Sequence, residues 1–171
     1  MIRVTIIDSG VNPWHSHVQG VEGGLSFRLS DSGRVEENGD YLDELGHGTA
    51  IAGVIRERAP HVLLQAFKIF HRELYAPTPV LLAALERAVR IDSKIIHLSL
   101  GTEQPGAREA LDRICKEADE GGVVIVAAAR GPEDEVCPAS LENVIGVYWH
   151  PACEEGSLIH HPGKPVEFGA Y

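Results

Sequence analysis

Short, mainly apolar runs recur along the chain. The first, RVTIID (3–8), does not alternate strictly between apolar and polar residues, because Ile6 and Ile7 are adjacent. Continuous apolar strands are typical of parallel sheets that are covered on both faces, because neither face meets water. The sequence therefore predicts a mostly parallel sheet. The other runs are VLLQAFKIF (62–70), KIIHLSL (94–100), VVIVAAA (123–129) and NVIGVYW (143–149).

Helical patterns separate these apolar runs. In segment 79–91, Thr78 is expected to be the N-cap and Pro79 the first helical residue. In segment 105–120, apolar residues recur at helical spacing until a Gly-Gly pair ends the helix. This order of elements predicts an α/β fold, a doubly wound sheet with helices on both faces. Because no linker or internal repeat interrupts the pattern, we expect one domain over residues 1–171.

Two further stretches give weaker signals. Residues 22–45 are polar and rich in Gly, Asp and Glu, which indicates a loop or a short hairpin. The last twenty residues are rich in His, Pro and Gly and give little signal for regular structure.

The acidic composition bears on the partners of the chain. Its 25 Asp and Glu residues against 15 Lys and Arg give a formal net charge of −10. This charge argues against nucleic acid or an anionic membrane surface as a partner. The apolar runs are shorter than the roughly 18 residues of a membrane span. Because the sequence opens directly into a predicted strand, we expect neither a signal peptide nor a propeptide. The three cysteines match neither a disulfide framework nor a zinc motif, which favours a cytoplasmic protein. We expect no cofactor.

Two polar residues stand where an α/β sheet places its chemistry. Asp8 ends the first strand, and functional groups collect at the carboxyl ends of parallel strands, although an aspartate here can also cap a turn. His47 begins the segment GHGTAIAGV, whose glycines and alanines permit close helix packing. It is either an incidental polar residue at a helix start or a base. A helix N-terminus disfavours the imidazolium, so we expect His47 to be neutral and able to accept a proton.

In their order, these segments resemble the motifs of the subtilisin-like serine peptidases. VTIIDSGVNPWH resembles the aspartate motif of that family, GHGTAIAGVI its histidine motif, and IIHLSLG its substrate-binding strand. VVIVAAA resembles the strand that leads to the oxyanion residue, and CPASLENVIGV also fits. The resemblance covers nearly the whole chain. It implies a three-layer, subtilisin-like α/β fold that is incomplete at the C-terminus.

The resemblance also implies roles for individual residues. Asp8 would orient and stabilise the imidazole of His47, which would take the proton from a serine hydroxyl. Ser99, Leu100 and Gly101 would bind an extended peptide, mainly through backbone groups and a pocket wall. A hydroxyl that caps its own turn is the alternative for the Ser99 side chain. Arg130 and Gly131 would form the oxyanion region.

Two features depart from the pattern of that family. The nucleophile motif, Gly-Thr-Ser on a helix of small residues, is absent from the 171 residues, and Ser157, the last serine, lies in a different context. Arg130-Gly131 stands where the family has its oxyanion asparagine.

From the motifs that do match, we predict a serine endopeptidase domain for a peptide or protein substrate, such as a peptide-processing protease. The alternatives are an inactive peptide-binding module, or one half of a split protease whose serine comes from a partner chain. As partners we therefore expect a chain that supplies the serine segment or, as an alternative, a homo-oligomer.

Three other groups of residues could carry chemistry of their own, but for each of them we favour a structural role. His15 and His17 have the spacing to share a strand face and a transition metal, but no third ligand follows. Cys137 could be a nucleophile that pairs with His47, although a packed thiol is favoured. An acidic stretch could bind calcium but has no ordered ligand pattern, which favours a solvated loop. We therefore expect no metal site. The acidic residues are Asp31, Glu36, Glu37, Asp40, Asp43 and Glu44.

Overall fold

The computed structural model describes residues 1–91 and 93–171, in two compact units, Met1–His97 and Leu98–Tyr171. The first unit contains β1 (Arg3–Asp8), β2 (Gly23–Leu29), β3 (Val35–Asn38), α1 (His47–Arg58), β4 (Leu63–Lys68), α2 (Thr78–Arg90) and most of β5 (Ile95–Leu98). The second unit contains α3 (Pro105–Glu120), β6 (Val124–Ala129), β7 (Val144–Trp149), β8 (Leu158–His160) and β9 (Phe168–Ala170). No helix among the described residues is long and apolar enough to cross a membrane.

The strands of the first unit lie in the order β3-β2-β4-β1-β5. β1 and β4 are parallel, with Asp8 opposite Lys68 at their carboxyl ends, and β2 is parallel to β4. β3 returns antiparallel to β2, so part of the polar stretch 22–45 forms a short hairpin. The sheet is therefore mostly parallel, as the continuous apolar runs predicted.

Burial on both faces explains the composition of β1. Val4 and Ile6 pack in one cluster with Ala52 of α1, and the intervening Thr5 and Ile7 are buried as well. α2 packs against β1, β2 and β3 and buries its own apolar stripe. A strand enclosed in this way gains from every apolar side chain it carries. The buried residues of α2 are Val80, Leu81, Ala84, Leu85 and Ala88.

The start of α2 differs by one residue from the prediction. Pro77 is the N-cap, with φ −59° and ψ 142°, and Thr78 is the first helical residue. The carbonyl of Pro77 accepts hydrogen bonds from Val80 N–H at 2.9 Å and Leu81 N–H at 3.3 Å, which draw Thr78 into the first turn. The prediction of Thr78 as N-cap is therefore wrong, and Pro79 is the second helical residue.

The second unit has its own parallel core. β6 is parallel to β7 and β7 to β9, while β8 pairs antiparallel with β9. α3 packs against β6 with the apolar face that its periodicity predicted. β8 and β9 lie within the last twenty residues, whose composition predicted little regular structure. Each has three residues, too few to show a period, and backbone pairing defines them, of β9 with β7 and of β8 with β9.

The start of α1 is fixed by the side chain of Asp43. One carboxylate oxygen accepts the N–H groups of Leu45 and Gly46, each at 2.9 Å, and the other accepts the N–H of Thr49 at 2.9 Å and its hydroxyl at 2.5 Å. Burial opposes ionisation of Asp43, but these hydrogen bonds outweigh it and lower the pKa of the carboxyl below its ordinary value. Asp43 thus differs from the solvated residue that the acidic loop predicted.

We expect Asp43→Ala to destabilise the protein by about 1–2 kcal/mol, because the donors at the start of α1 lose their shared acceptor. The lowered pKa means that the ionised carboxylate stabilises the fold above the ordinary value of 3.8 and loses this effect as the pH falls through the folded value. The difference between the two proteins should therefore be full at pH 7 and shrink below about pH 4. Urea unfolding followed by circular dichroism measures it.

Asp31→Ala is the matched control, since Asp31 lies exposed in the turn between β2 and β3. It should change the free energy of unfolding by less than about 0.5 kcal/mol. Equal effects of the two substitutions would contradict the role given to Asp43.

Candidate active site

Asp8 and His47 form a hydrogen-bonded pair within the first unit. Nδ1 of His47 lies 2.8 Å from Oδ1 and 2.9 Å from Oδ2 of Asp8. Because an ionised carboxylate can only accept, Nδ1 is the protonated nitrogen of the ring. The other nitrogen, Nε2, is left with its lone pair and can accept a proton. The structure thus joins the two residues that the sequence placed 39 positions apart.

Asp8 is fully buried, whereas 39% of the His47 side chain is exposed. The N–H of Ser9 donates to Oδ1 of Asp8 at 2.7 Å, which gives the buried charge a second partner. The carboxylate is therefore shielded from solvent, while the imidazole remains accessible. This arrangement suits a general base that is oriented from behind by a carboxylate.

The short distance between β1 and α1 requires glycine at position 48. A Cβ on Gly48 would lie 2.1 Å from the carbonyl oxygen of Gly10 and 3.3 Å from Cβ of Asp8. The N–H of Gly48 also donates to the Ser9 hydroxyl at 2.9 Å. Thr49 contributes from the next position, because its hydroxyl accepts the Asn12 N–H at 3.0 Å. The small residues after His47 thus hold the helix against the strand that carries Asp8.

His97 is a site residue that the sequence reasoning missed. It lies on β5, which neighbours β1. Its Nδ1 is buried and has no hydrogen-bond partner among the described residues. Burial lowers the pKa of His97; the negative charge of Asp8 acts against this shift, and His47 adds to it. The sequence signal that could have identified His97 was the presence of a histidine within the mainly apolar run IIHLSLG.

Lys68 is a second buried polar residue, and the pattern of the apolar run in which it lies did not indicate that it has a specific role. Only 1% of its side chain is exposed, and Nζ donates to the Leu42 carbonyl at 2.6 Å and to a Glu44 carboxylate oxygen at 3.2 Å. It therefore ties the end of β4 to the segment that leads into α1. This contact supports the loop in front of His47.

Ser99, Leu100 and Gly101 lie beyond the end of β5, which stops at Leu98. The prediction of a strand over 94–100 is therefore too long at both ends. The segment continues to Thr102, whose N–H donates to the Cys137 carbonyl at 2.7 Å. The Thr102 carbonyl in turn accepts the Cys137 N–H at 3.1 Å, so the two residues form an isolated antiparallel bridge.

Arg130, beyond the end of β6, is engaged in ion pairs. Its Nε and Nη2 donate to the two carboxylate oxygens of Asp134 at 2.9 and 2.8 Å, and Nη2 also donates to Glu103. Its backbone N–H donates to Asp134 at 2.9 Å. Gly131 follows, and its carbonyl accepts the Asp134 N–H at 3.2 Å. The Arg130 side chain is thus bound to carboxylates that sequence reasoning had not connected with it.

The weaker candidates have structural partners. Nδ1 of His15 accepts the N–H of His17 at 3.4 Å, and the two rings meet edge to face. Cys137 is buried, and its sulfur accepts a hydrogen bond from Arg108 at 3.4 Å. Among residues 1–91 and 93–171, no three His, Cys, Asp or Glu side chains come together in a way that could hold a metal ion.

Comparison with known proteins identifies the family to which this chain is similar. The model of the Subtilase family, peptidase S8, matches residues 1–151. The minor extracellular protease Epr of Bacillus subtilis (strain 168) is 26% identical over 181 aligned positions, which cover 99% of this chain and 26% of Epr. The chain thus spans about a quarter of the length of that relative.

Solved structures show the same fold. A lanthipeptide protease superposes with a TM-score of 0.73 at 22% identity, over 99% of this chain and 54% of its own. The epidermin leader peptide processing serine protease EpiP of Staphylococcus aureus gives a TM-score of 0.65 at 19% identity, over 85% of this chain and 46% of its own. These similarities confirm the predicted doubly wound α/β fold. With the family model matching most of its length, the chain belongs to the Subtilase family of serine peptidases, peptidase S8.

Proposed function

We propose that this chain supplies the acid and base of a serine endopeptidase that processes peptides. The observation that carries the proposal is the pair formed by buried Asp8 and accessible His47. In this arrangement Nε2 of His47 takes the proton of a serine hydroxyl as that hydroxyl attacks the peptide carbonyl. Asp8 holds the ring in the required tautomer and stabilises the imidazolium, and His47 then returns the proton to the leaving amine.

Two further roles belong to the proposal. Ser99, Leu100 and Gly101 would pair with the backbone of an extended peptide. The region of Arg130 and Gly131 would stabilise the oxyanion in place of an amide side chain. Because the Arg130 guanidinium and N–H are bound to Asp134, backbone donors other than Arg130 N–H are the better candidates. Loss of one oxyanion donor costs roughly 10²–10³ in turnover, which leaves measurable activity.

Peptide processing as the biological role rests on the relatives. Two of the similar structures are named for peptide maturation, the epidermin leader peptide processing protease and the prenylagaramide maturation protease PagA. By analogy, we propose a precursor peptide as substrate. The serine nucleophile would come from polypeptide outside residues 1–171, either a longer form of this chain or a partner chain.

A fluorophosphonate probe, which reacts with activated serines, tests the proposal. We expect the 171-residue chain alone to stay unlabelled, because its Gly-Thr-Ser motif is absent. A form completed by the serine segment should be labelled and should cleave peptides. If the completed form neither reacts with the probe nor cleaves but still binds extended peptides, the peptidase proposal fails and an inactive binding module replaces it.

In the completed form, we expect His47→Ala to lower kcat on the order of 10⁶-fold and Asp8→Asn on the order of 10⁴-fold, since members of a triad act as a unit. Steady-state cleavage of a fluorogenic peptide measures both. His61→Ala is the control, because His61 is exposed in the turn after α1 and should retain full activity. Comparable losses in all three variants would remove the special role of Asp8 and His47.

His97 should remain neutral beside this pair, so that no second cation competes for Asp8. NMR titration of its ring protons should give a pKa below the ordinary 6.5. Asp8→Asn should lower that pKa further, because the carboxylate charge of Asp8 favours protonated His97. An unchanged or higher pKa in Asp8→Asn would show that His97 does not sense this charge.

A further inference from the structure

A cavity in the second unit carries a charge arrangement that the proposed function does not explain. It has a volume of about 470 Å³ and lies between segment 100–103 and segment 128–136. Its walls include the apolar side chains of Leu100, Ala128 and Val136, while Glu103, Arg130 and Asp134 add charged groups. Apolar and ionised groups therefore both line the cavity.

Val136 defines one wall of this cavity. Its Cγ2 would lie only 2.4 Å from a Cβ placed on Gly101, so the valine packs directly on the glycine backbone. The bridge between Thr102 and Cys137 holds the two segments together beside this contact. The cavity is thus formed by backbone pairing and small side chains, which leaves room for the stem of a long side chain.

The ionised groups of the cavity carry one negative charge in excess, because the carboxylates of Glu103 and Asp134 face the single guanidinium of Arg130. Hydrogen bonds from Arg130 lower the pKa of Asp134, and the two carboxylates raise the pKa of Arg130, so both stay charged. Asp134 is tightly held, with 7% of its side chain exposed, whereas Glu103 is 67% exposed. Glu103 is therefore the carboxylate that can change partner.

We propose that this cavity binds the side chain of a lysine or arginine of the substrate peptide, and that Arg130 occupies the same carboxylate when no peptide is bound. The inference rests on the proposed function, in which the peptide lies along residues 99–101. The methylene stem of the basic residue packs against Leu100 and Val136, and its charge replaces Arg130 at Glu103. Arg130 keeps its bidentate contact with Asp134 throughout.

The excess charge also excludes other side chains. An acidic side chain would meet two carboxylates and a guanidinium that is already paired, so it is repelled. A neutral apolar side chain of the same length fills the cavity but makes no contact with Glu103. The chemical class selected is therefore a peptide with a basic residue at the position that faces this cavity.

The test is the binding of three peptides that differ at one position, Ac-Ala-Ala-Pro-Xaa-NH₂ with Xaa lysine, norleucine or glutamate, to the 171-residue chain. NMR titration of the backbone amides follows both affinity and place of binding. We expect lysine to bind about fivefold more tightly than norleucine, the size of an exposed ion pair, and glutamate to bind most weakly. The perturbed amides should include residues 99–103.

Two variants identify the groups responsible. Glu103→Gln should bring the affinities for the lysine and norleucine peptides within about twofold of each other, because it removes the exchangeable carboxylate. Arg130→Gln should raise the preference for lysine severalfold, because the internal competitor is lost. Glu109→Gln, at an exposed position on α3, is the matched control and should leave the preference unchanged.

The outcomes separate this inference from the proposed function. If all three peptides bind at residues 99–103 with equal affinity, or if glutamate binds best, the charge selection is overturned while the peptide groove remains. If Glu103→Gln keeps the full lysine preference, the assignment to Glu103 is overturned. If no peptide perturbs residues 99–103, the inference fails together with the groove on which it rests.

Discussion

The contact between the buried carboxylate of Asp8 and the ring of His47 is the interaction on which the proposed active site depends. A charge without a partner would cost several kcal/mol in a site with no exposure to water. Asp8 has two partners, the backbone of Ser9 and the ring of His47. The same interaction thus satisfies the buried charge and orients the imidazole of His47. The same contact that makes Asp8 tolerable inside the protein leaves Nε2 of His47 free to accept a proton.

Several contacts hold His47 in place for that interaction. Asp43 binds the donors at the start of α1, and Thr49 links the helix back to Asn12 in the loop after β1. Gly48 removes the side chain that would separate helix and strand. Lys68 adds a buried tie between β4 and the segment in front of the helix. His47 therefore lies on a helix whose first turn is fixed by several contacts, which suits the proposed role of a base that must meet a reacting atom with precise geometry.

Much of the fold could be predicted because segments that are buried in the protein are rich in apolar residues. β1 buries side chains on both of its faces, including Val4, Ile6 and Ile7, and the stripe of α2 has helical period. The short strands β8 and β9 have no such apolar pattern, because backbone pairing rather than the period of their side chains defines them. Of the site, Asp8 and His47 could be predicted from motif and position. His97 and Lys68 could not, since a polar residue in an apolar run does not reveal what it faces.

The sequence by itself determined the five strands β1, β4, β5, β6 and β7 with the helices between them, the resemblance to the family, and the motifs that carry Asp8 and His47 with their small-residue surroundings. Local pattern suffices there, because hydrophobic period and short-range steric limits act on neighbouring residues. Only the tertiary structure decided what each charged group meets. Arg130 and Asp134 are four residues apart, but Glu103 is 27 residues from Arg130, and folding alone brings it to the same guanidinium. Partners distant in sequence are set by packing, and packing determines which charges are satisfied and which remain for a ligand.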